Sequence, residues 1–326
     1  MNADASANVD VRGDASAKLP ILPWLAGGLL IGGAAGLAGA STLVRGTRAE
    51  KRPSTLLRKG AVMTTIDQQG PALAGPEHPP RTGAVTVTQY SRRSILAIWA
   101  AAALPMGALA WIVAPAIADG SDAESLFRPL LAALTAGLIW QFVLVVGLVG
   151  YEQRSLRWSR LREALWLRQP RSPRSGRVGG RIWLVVIPLA LGTALEGTLV
   201  IGAPISRDIG EFLSSDAGEA MFKGSWGLFG LVLTMLIFNT VLGEELLFRG
   251  VLLPRMQGAF GDRDWVANGV LFAAYHLHEP WVIPTTLLDT LFLAYPTKRY
   301  QSAWIGIAVH SAQTVVFALL LLTLVV

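Results

Sequence analysis

The sequence predicts an all-α, polytopic transmembrane bundle of about eight membrane helices, and three observations carry that prediction. The 326-residue chain is 52% hydrophobic and only 15% charged, with a mean hydropathy of +0.47. Its apolar residues come in long uninterrupted blocks, where an amphipathic surface helix would show a narrow stripe. Its basic residues gather in alternate loops between those blocks.

Crossing ~30 Å of hydrocarbon takes about 20 helical residues, and blocks of that order follow one another along the chain. Residues 1–18 form a polar tail, and 19–44 hold the first membrane helix. Its end, "GLAGAST", offers small residues to a signal peptidase. However, residues 1–18 lack a basic n-region and the apolar run exceeds an ordinary signal core, so a retained helix is expected. Residues 45–93 read as a flexible, basic, Pro/Gly-rich loop containing "DQQGPALAGPEHPPRTGAVTVTQ". Residues 94–181 supply crossings at 95–118 and 127–150 and then a basic cytoplasmic loop. Residues 182–326 supply crossings at 182–203, 225–248, 262–279 and 303–326. A shorter block at 281–296, "WVIPTTLLDTLFLAYP", contains Pro284 and Asp289 and is expected to be tilted, broken or re-entrant.

Charge orients the bundle. The stretch 151–181 sets nine Arg against Glu152 and Glu163, and the stretch from Arg45 to Arg93 is basic near both ends, so both belong to the cytoplasm. The alternate loops are acidic or balanced. Eight crossings with both termini outside satisfy this alternation and place Arg249, Arg255, Lys298 and Arg299 inside. The pI near 10.0 therefore reports topology and contact with anionic lipid, and a nucleic-acid-binding role is not expected. Cysteine is absent, which removes disulfides, thiol nucleophiles and thiolate metal ligands.

An ionisable group within a span costs roughly 2.5–3.5 kcal/mol on insertion scales, so each one calls for a partner or a purpose. "GEELLFRG" at 243–250 follows the apolar run "WGLFGLVLTMLIFNTVL". Glu245 and Arg249 lie four apart and can pair, whereas Glu244 points about 100° away and has no local cation on its face. Two readings stand side by side: these groups cap an interfacial helix end, or Glu244 is kept free for chemistry. Of four His, His276, His278 and His310 fall in the last apolar blocks. Phe272 lies one turn before His276, and Gln313 and Thr314 lie one turn after His310. A lone intramembrane His is often a helix–helix hydrogen bond, but acid and imidazole on three separate helices are harder to explain that way.

In order, Glu244-Glu245-x-x-x-Arg249, then Phe272-x-x-x-His276, then His310, resemble the motifs of the CAAX-protease and bacteriocin-processing (CPBP, or Abi) family of intramembrane glutamate proteases. The likeness covers about residues 182–326. It implies a CAAX-protease-like endopeptidase with no cofactor and no metal, acting on a membrane-embedded or membrane-bound peptide, as an integral protein of a bacterial cytoplasmic membrane. It further implies that Glu244 and His276 activate water, that His310 with the residue four positions later stabilises the oxyanion, and that Glu245 and Arg249 orient the site. The family usually has Asn at that later position, and here Thr314 stands there. A hydroxyl is shorter than an amide, so Gln313 is an alternative donor. Two other classes use the same residues: a metal-dependent hydrolase with Glu244, His276 and His310 as ligands, and a non-catalytic scaffold or proton-relay transporter. The absence of H-E-x-x-H favours metal-free chemistry over the first. Among the remaining buried polar candidates, Glu196 is a second acid, a proton-path residue or, the favoured reading, a buried carboxyl hydrogen-bonded to a Ser or Thr. Asp289 either lines the cavity or bends its helix, and His278 with Glu279 is expected at the outer interface.

Overall fold

The computed structural model describes residues 87–196, 199, 202–203, 207 and 209–326. The tail, the first membrane block and most of the following loop lie outside the described residues. The described chain is helical, with one isolated bridge between Arg171 and Val178 and no strand.

Four helices among the described residues are long and apolar enough to cross a membrane: α1 (Arg92–Ile117), α2 (Ala123–Gln153), α4 (Trp226–Arg255) and α6 (Ala303–Val325). Two shorter helices complete the frame of the site, α3 (Val186–Glu196) and α5 (Asp264–Tyr275). Each boundary has a local cause. Ser91 caps α1 by accepting the Ser94 N–H at 3.2 Å. Asp122 caps α2 by accepting the Ser125 N–H at 2.9 Å, and these bonds hold its carboxyl below the usual range. Arg154, at φ 48°, ends α2 with a left-handed residue.

The expected crossing at 182–203 enters its α-helix late, with its end outside the described residues, and the one at 262–279 is shorter as a helix than its apolar block. In the first, a 3₁₀ turn over Gly180–Val185 precedes α3; in the second, α5 stops at Tyr275. The 281–296 block is broken as its Pro284 and Asp289 suggest, passing from a 3₁₀ turn at Pro280–Val282 through Ile283–Thr286 and a π segment at Thr290–Ala294 to a helix at Tyr295–Tyr300. The expected crossing at 225–248 needs correction in the other direction. Helix α4 continues to Arg255, so Glu244, Glu245 and Arg249 lie inside a helix and not at its end. Over Phe238–Leu252 that helix takes the wider π form, with i→i+5 bonds.

Helix α2 packs along this π segment, and α6 packs against both it and α3. Apolar outer faces, such as those of Ile112, Val143 and Leu195, are exposed, which suits lipid contact, while Leu247, Phe248, Val251 and Leu252 are buried at the centre. Polar bonds pin the helices. The Trp99 and Trp111 indoles donate to the carbonyls of Leu271 and Leu277, each at 2.8 Å, and Asn268 Nδ2 donates to the Phe248 carbonyl at 2.8 Å. At the expected cytoplasmic end, buried Arg255 meets Glu152 at 2.7 Å and also donates to the Val251 carbonyl at 2.9 Å. Glu152 accepts the Thr88 N–H in turn, which ties the start of the described chain to α2.

Small residues set the closest approaches, as is usual where lipid supplies no hydrophobic drive between helices. A Cβ on Gly269 of α5 would lie 2.6 Å from Thr290 Cβ and 2.7 Å from Thr290 Cα. Because the backbone itself is in the way, Gly269→Ala should destabilise the bundle by about 1–3 kcal/mol through overpacking. Thermal unfolding in detergent checks this; a Tm equal to that of the parent protein would show that the Thr290 segment yields without cost.

Candidate active site

The chemistry-bearing residues converge where α4, α5 and α6 meet. Glu244, Glu245 and Arg249 are 2%, 0% and 0% exposed, so the reading in which they merely cap a wet helix end does not describe them. Glu245 sits between two cations or potential cations. Its Oε1 is 3.6 Å from Arg249 Nη1, within the same helix, and 3.3 Å from His310 Nδ1 on α6. The carboxylate only accepts, so Nδ1 of His310 carries the proton in this bond. Gly306, one turn before His310, makes room for the carboxylate: a Cβ there would collide with Glu245 Oε2 and lie 3.0 Å from Thr297 Oγ1. The Arg249 guanidinium lies over the Phe272 ring, 4.0 Å from its centroid, where the ring face attracts it.

Phe272 also positions both imidazoles. Its ring meets that of His276 edge to face at 5.0 Å and stands 6.4 Å from that of His310. His276 follows the last residue of α5, with ψ 40°, and its Nδ1 bonds the Phe272 carbonyl at 3.0 Å. A carbonyl only accepts, so Nδ1 bears the hydrogen and Nε2 is the acceptor.

Glu244 takes the other direction. It lines a cavity of about 130 Å³ with Asn239, His276, His278, Glu279 and His310, walled on the apolar side by residues that include Leu134 and Met235. The buried Tyr275 hydroxyl accepts from Gln141 Nε2 on α2 and interacts with Glu244. An apolar cavity of about 80 Å³ adjoins this one, sharing Leu134, Met235 and Glu279 with it and continuing to Phe317 and Leu321. A second polar cavity of about 220 Å³ opens on the far side of His276 and His310, lined by Glu196, Asp289, Thr285, Thr286 and Gln313.

Several sequence expectations change. His278 and Glu279 are not turned away from the site: the His278 ring stacks on His276 at 5.4 Å, and both residues line the Glu244 cavity. Helical spacing does not apply to them because the helix has ended at Tyr275. Among the described residues Glu196 makes no bond to a Ser or Thr; it lies beside the Asp289 carboxyl, and both line the second cavity. The Thr314 hydroxyl meets that of Thr240 on α4 and lines neither polar cavity, while Gln313 Nε2 donates to the Thr193 carbonyl at 3.1 Å. Asn239, Tyr275 and Gln141 were not singled out from the sequence. Asn239 lies five residues before Glu244, about 140° away on an α-helix but one turn away on a π-helix. Only the π form therefore makes the pair visible.

Among the described residues no three His, Cys, Asp or Glu side chains converge in a geometry that would hold a metal ion. Comparison with curated proteins and with solved structures gave no match. Residues 225–316, from the start of α4 to six residues past His310, match the family model described as Rce1-like, type II CAAX prenyl endopeptidase, the group to which the ordered Glu, His and His motifs pointed.

Proposed function

We propose that the chain is an intramembrane endopeptidase of the CAAX-protease kind, in which Glu244 and His276 activate a water for attack on a peptide carbonyl. The observation that carries this reading is the division of labour between adjacent carboxylates. Glu245 is engaged by Arg249 and His310, while Glu244 faces a cavity with both imidazoles. Glu244 takes the proton of the attacking water, whose oxygen adds to the carbonyl carbon. The proton then passes to the leaving amine, with His276 Nε2 able to hold it in transit. His310, held by the Glu245 carboxylate as an imidazolium, donates from Nε2 to the developing oxyanion. The Asn239 amide serves as the second donor in place of Thr314, whose hydroxyl is turned to Thr240. The apolar cavity adjoining the Glu244 cavity fits a substrate carrying a lipid-like or strongly apolar group beside the scissile bond.

The carboxylate assignment has a direct test. Glu244→Gln keeps shape and hydrogen bonding but removes the base, so it should abolish cleavage of a reconstituted membrane peptide at near-normal protein yield. Glu245→Gln should lower both yield and activity, because breaking a buried ion pair costs about 3–5 kcal/mol. Near-normal turnover by Glu244→Gln would sink the mechanism, and loss of wild-type activity on chelation would favour a metal-dependent hydrolase instead. If neither protein cleaves, the scaffold or relay reading is favoured.

The pH profile tests the proton sharing. With Glu244 as base and His276 as carrier, kcat/KM should rise and then fall with pH, the two apparent pKa values belonging to the coupled pair. A rate that stays flat from about pH 5 to 9 counts against both.

The oxyanion assignment separates two positions. Asn239→Leu should reduce kcat by about 10²–10³-fold with little change in KM. Thr314→Val should lower stability by unpairing Thr240 while leaving kcat within a few-fold. The reverse pattern would return the donor role to Thr314.

A further inference from the structure

The 220 Å³ cavity beyond His276 and His310 has a chemistry that the hydrolytic reading does not use. Its walls offer acceptors. The Thr285 and Thr286 hydroxyls both spend their hydrogens on the Val282 carbonyl, at 2.9 and 2.8 Å, and the Gln313 amide donates to the Thr193 carbonyl. Glu196 and Asp289 are each 8% exposed, line this cavity together and lie close enough for their carboxyls to interact. Two carboxyls brought this close do not both ionise freely, and a pair that shares one proton keeps one negative charge. Both residues line this cavity, and Glu196 Oε2 and Asp289 Oδ1 are buried and make no hydrogen bond among the described residues.

The surroundings have the same sign. Glu196, Glu244, Glu245, Glu279 and Asp289 line or adjoin the two polar cavities, and the cations among the described residues beside them, Arg249 and the His310 imidazolium of the proposed mechanism, are both already turned to Glu245. A wall of acceptors with an unpaired negative charge is complemented by a group rich in N–H donors and positive. A guanidinium or ammonium fits, and a carboxylate or phosphate does not.

We infer that this cavity is a specificity subsite for a basic side chain of the substrate, with the Glu196–Asp289 pair as its anchor. The inference rests on the endopeptidase reading. Because the cavity shares His276 and His310 with the Glu244 cavity, a side chain seated in it belongs to a residue close to the scissile bond. The subsite selects Lys or Arg at that place over an apolar residue of the same length, whose burial would leave the carboxyls unpaired.

The test has two arms, both on the full chain in nanodiscs. In the first, methylguanidinium and its neutral counterpart methylurea are titrated against the Glu244→Gln protein, with affinity read from the thermal unfolding shift. Methylguanidinium should bind at least tenfold more tightly, and Glu196→Gln or Asp289→Asn in that background should bring the two probes within about threefold. Equal affinities in the parent, or an unchanged preference in both variants, overturns the site. In the second arm, membrane-anchored reporter peptides carry Arg or norleucine at each position flanking the scissile bond. The Arg-to-norleucine ratio of kcat/KM should exceed ten at one position and fall at least tenfold in either variant. If the probes bind as expected and no peptide is cleaved above the Glu244→Gln background, the endopeptidase reading fails while the cation site stands. If peptides are cleaved with no Arg preference, or with one that both variants retain, the assignment to substrate is wrong.

Discussion

Everything in the site depends on how one buried carboxylate is held. Glu245 has no exposed surface and lies where α4 crosses α6, reaching Arg249 along its own helix and His310 across the interface. In a medium of low dielectric an unpaired charge there would cost several kcal/mol, so the crossing is stable only in the one register that satisfies it. Gly306 enforces that register from the opposite helix, because any larger residue would occupy the carboxylate's space. The imidazole of His310 is thereby fixed by electrostatics on one side and by sterics on the other.

The π segment supplies the second constraint. A wider turn changes which residues stand above one another, so Asn239 and Glu244 share a wall while Glu245 turns to Arg249 and His310. Such a segment is less favourable than an α-helix in isolation. Here it is supported by the dense packing of α2 along it, by Asn268 bonding the Phe248 carbonyl and by the Phe248, Phe272 and Tyr275 rings, which lie 5.0 and 5.5 Å apart. The backbone irregularity falls in the stretch of chain proposed to carry the chemistry.

The sequence was informative where the signal was local. The long apolar helices α1, α2, α4 and α6 follow from the length of hydrocarbon they must cross, and the Glu245–Arg249 pairing follows from their spacing. What could not be read depended on contacts distant in sequence or on departures from ideal helix geometry. The Glu196–Asp289 pair joins two segments with no shared pattern. His278 was misplaced because a helical angle was applied past Tyr275, where α5 stops, and Asn239 was invisible because an α-helix turns it away from Glu244. The crossing expected at 262–279 was overestimated because apolar composition continues beyond Tyr275, where the backbone leaves the helix, and the one expected at 182–203 opens on a 3₁₀ turn that its composition does not reveal. The oxyanion donor expected at position 314 met a different competitor, the Thr240 hydroxyl on a neighbouring helix.

The two imidazoles differ in how firmly they are anchored. His310 stands within a continuous 23-residue helix, whereas His276 stands at the end of one, followed by the irregular segment through Val282. Rotating His310 would mean moving a whole transmembrane rod against Glu245. His276 is held instead by side-chain contacts, its Nδ1 on the Phe272 carbonyl and its ring against Phe272 and His278, with the Trp111 indole bonded to the next residue's carbonyl. The site is therefore stiff along the α4–α6 seam and compliant at the end of α5.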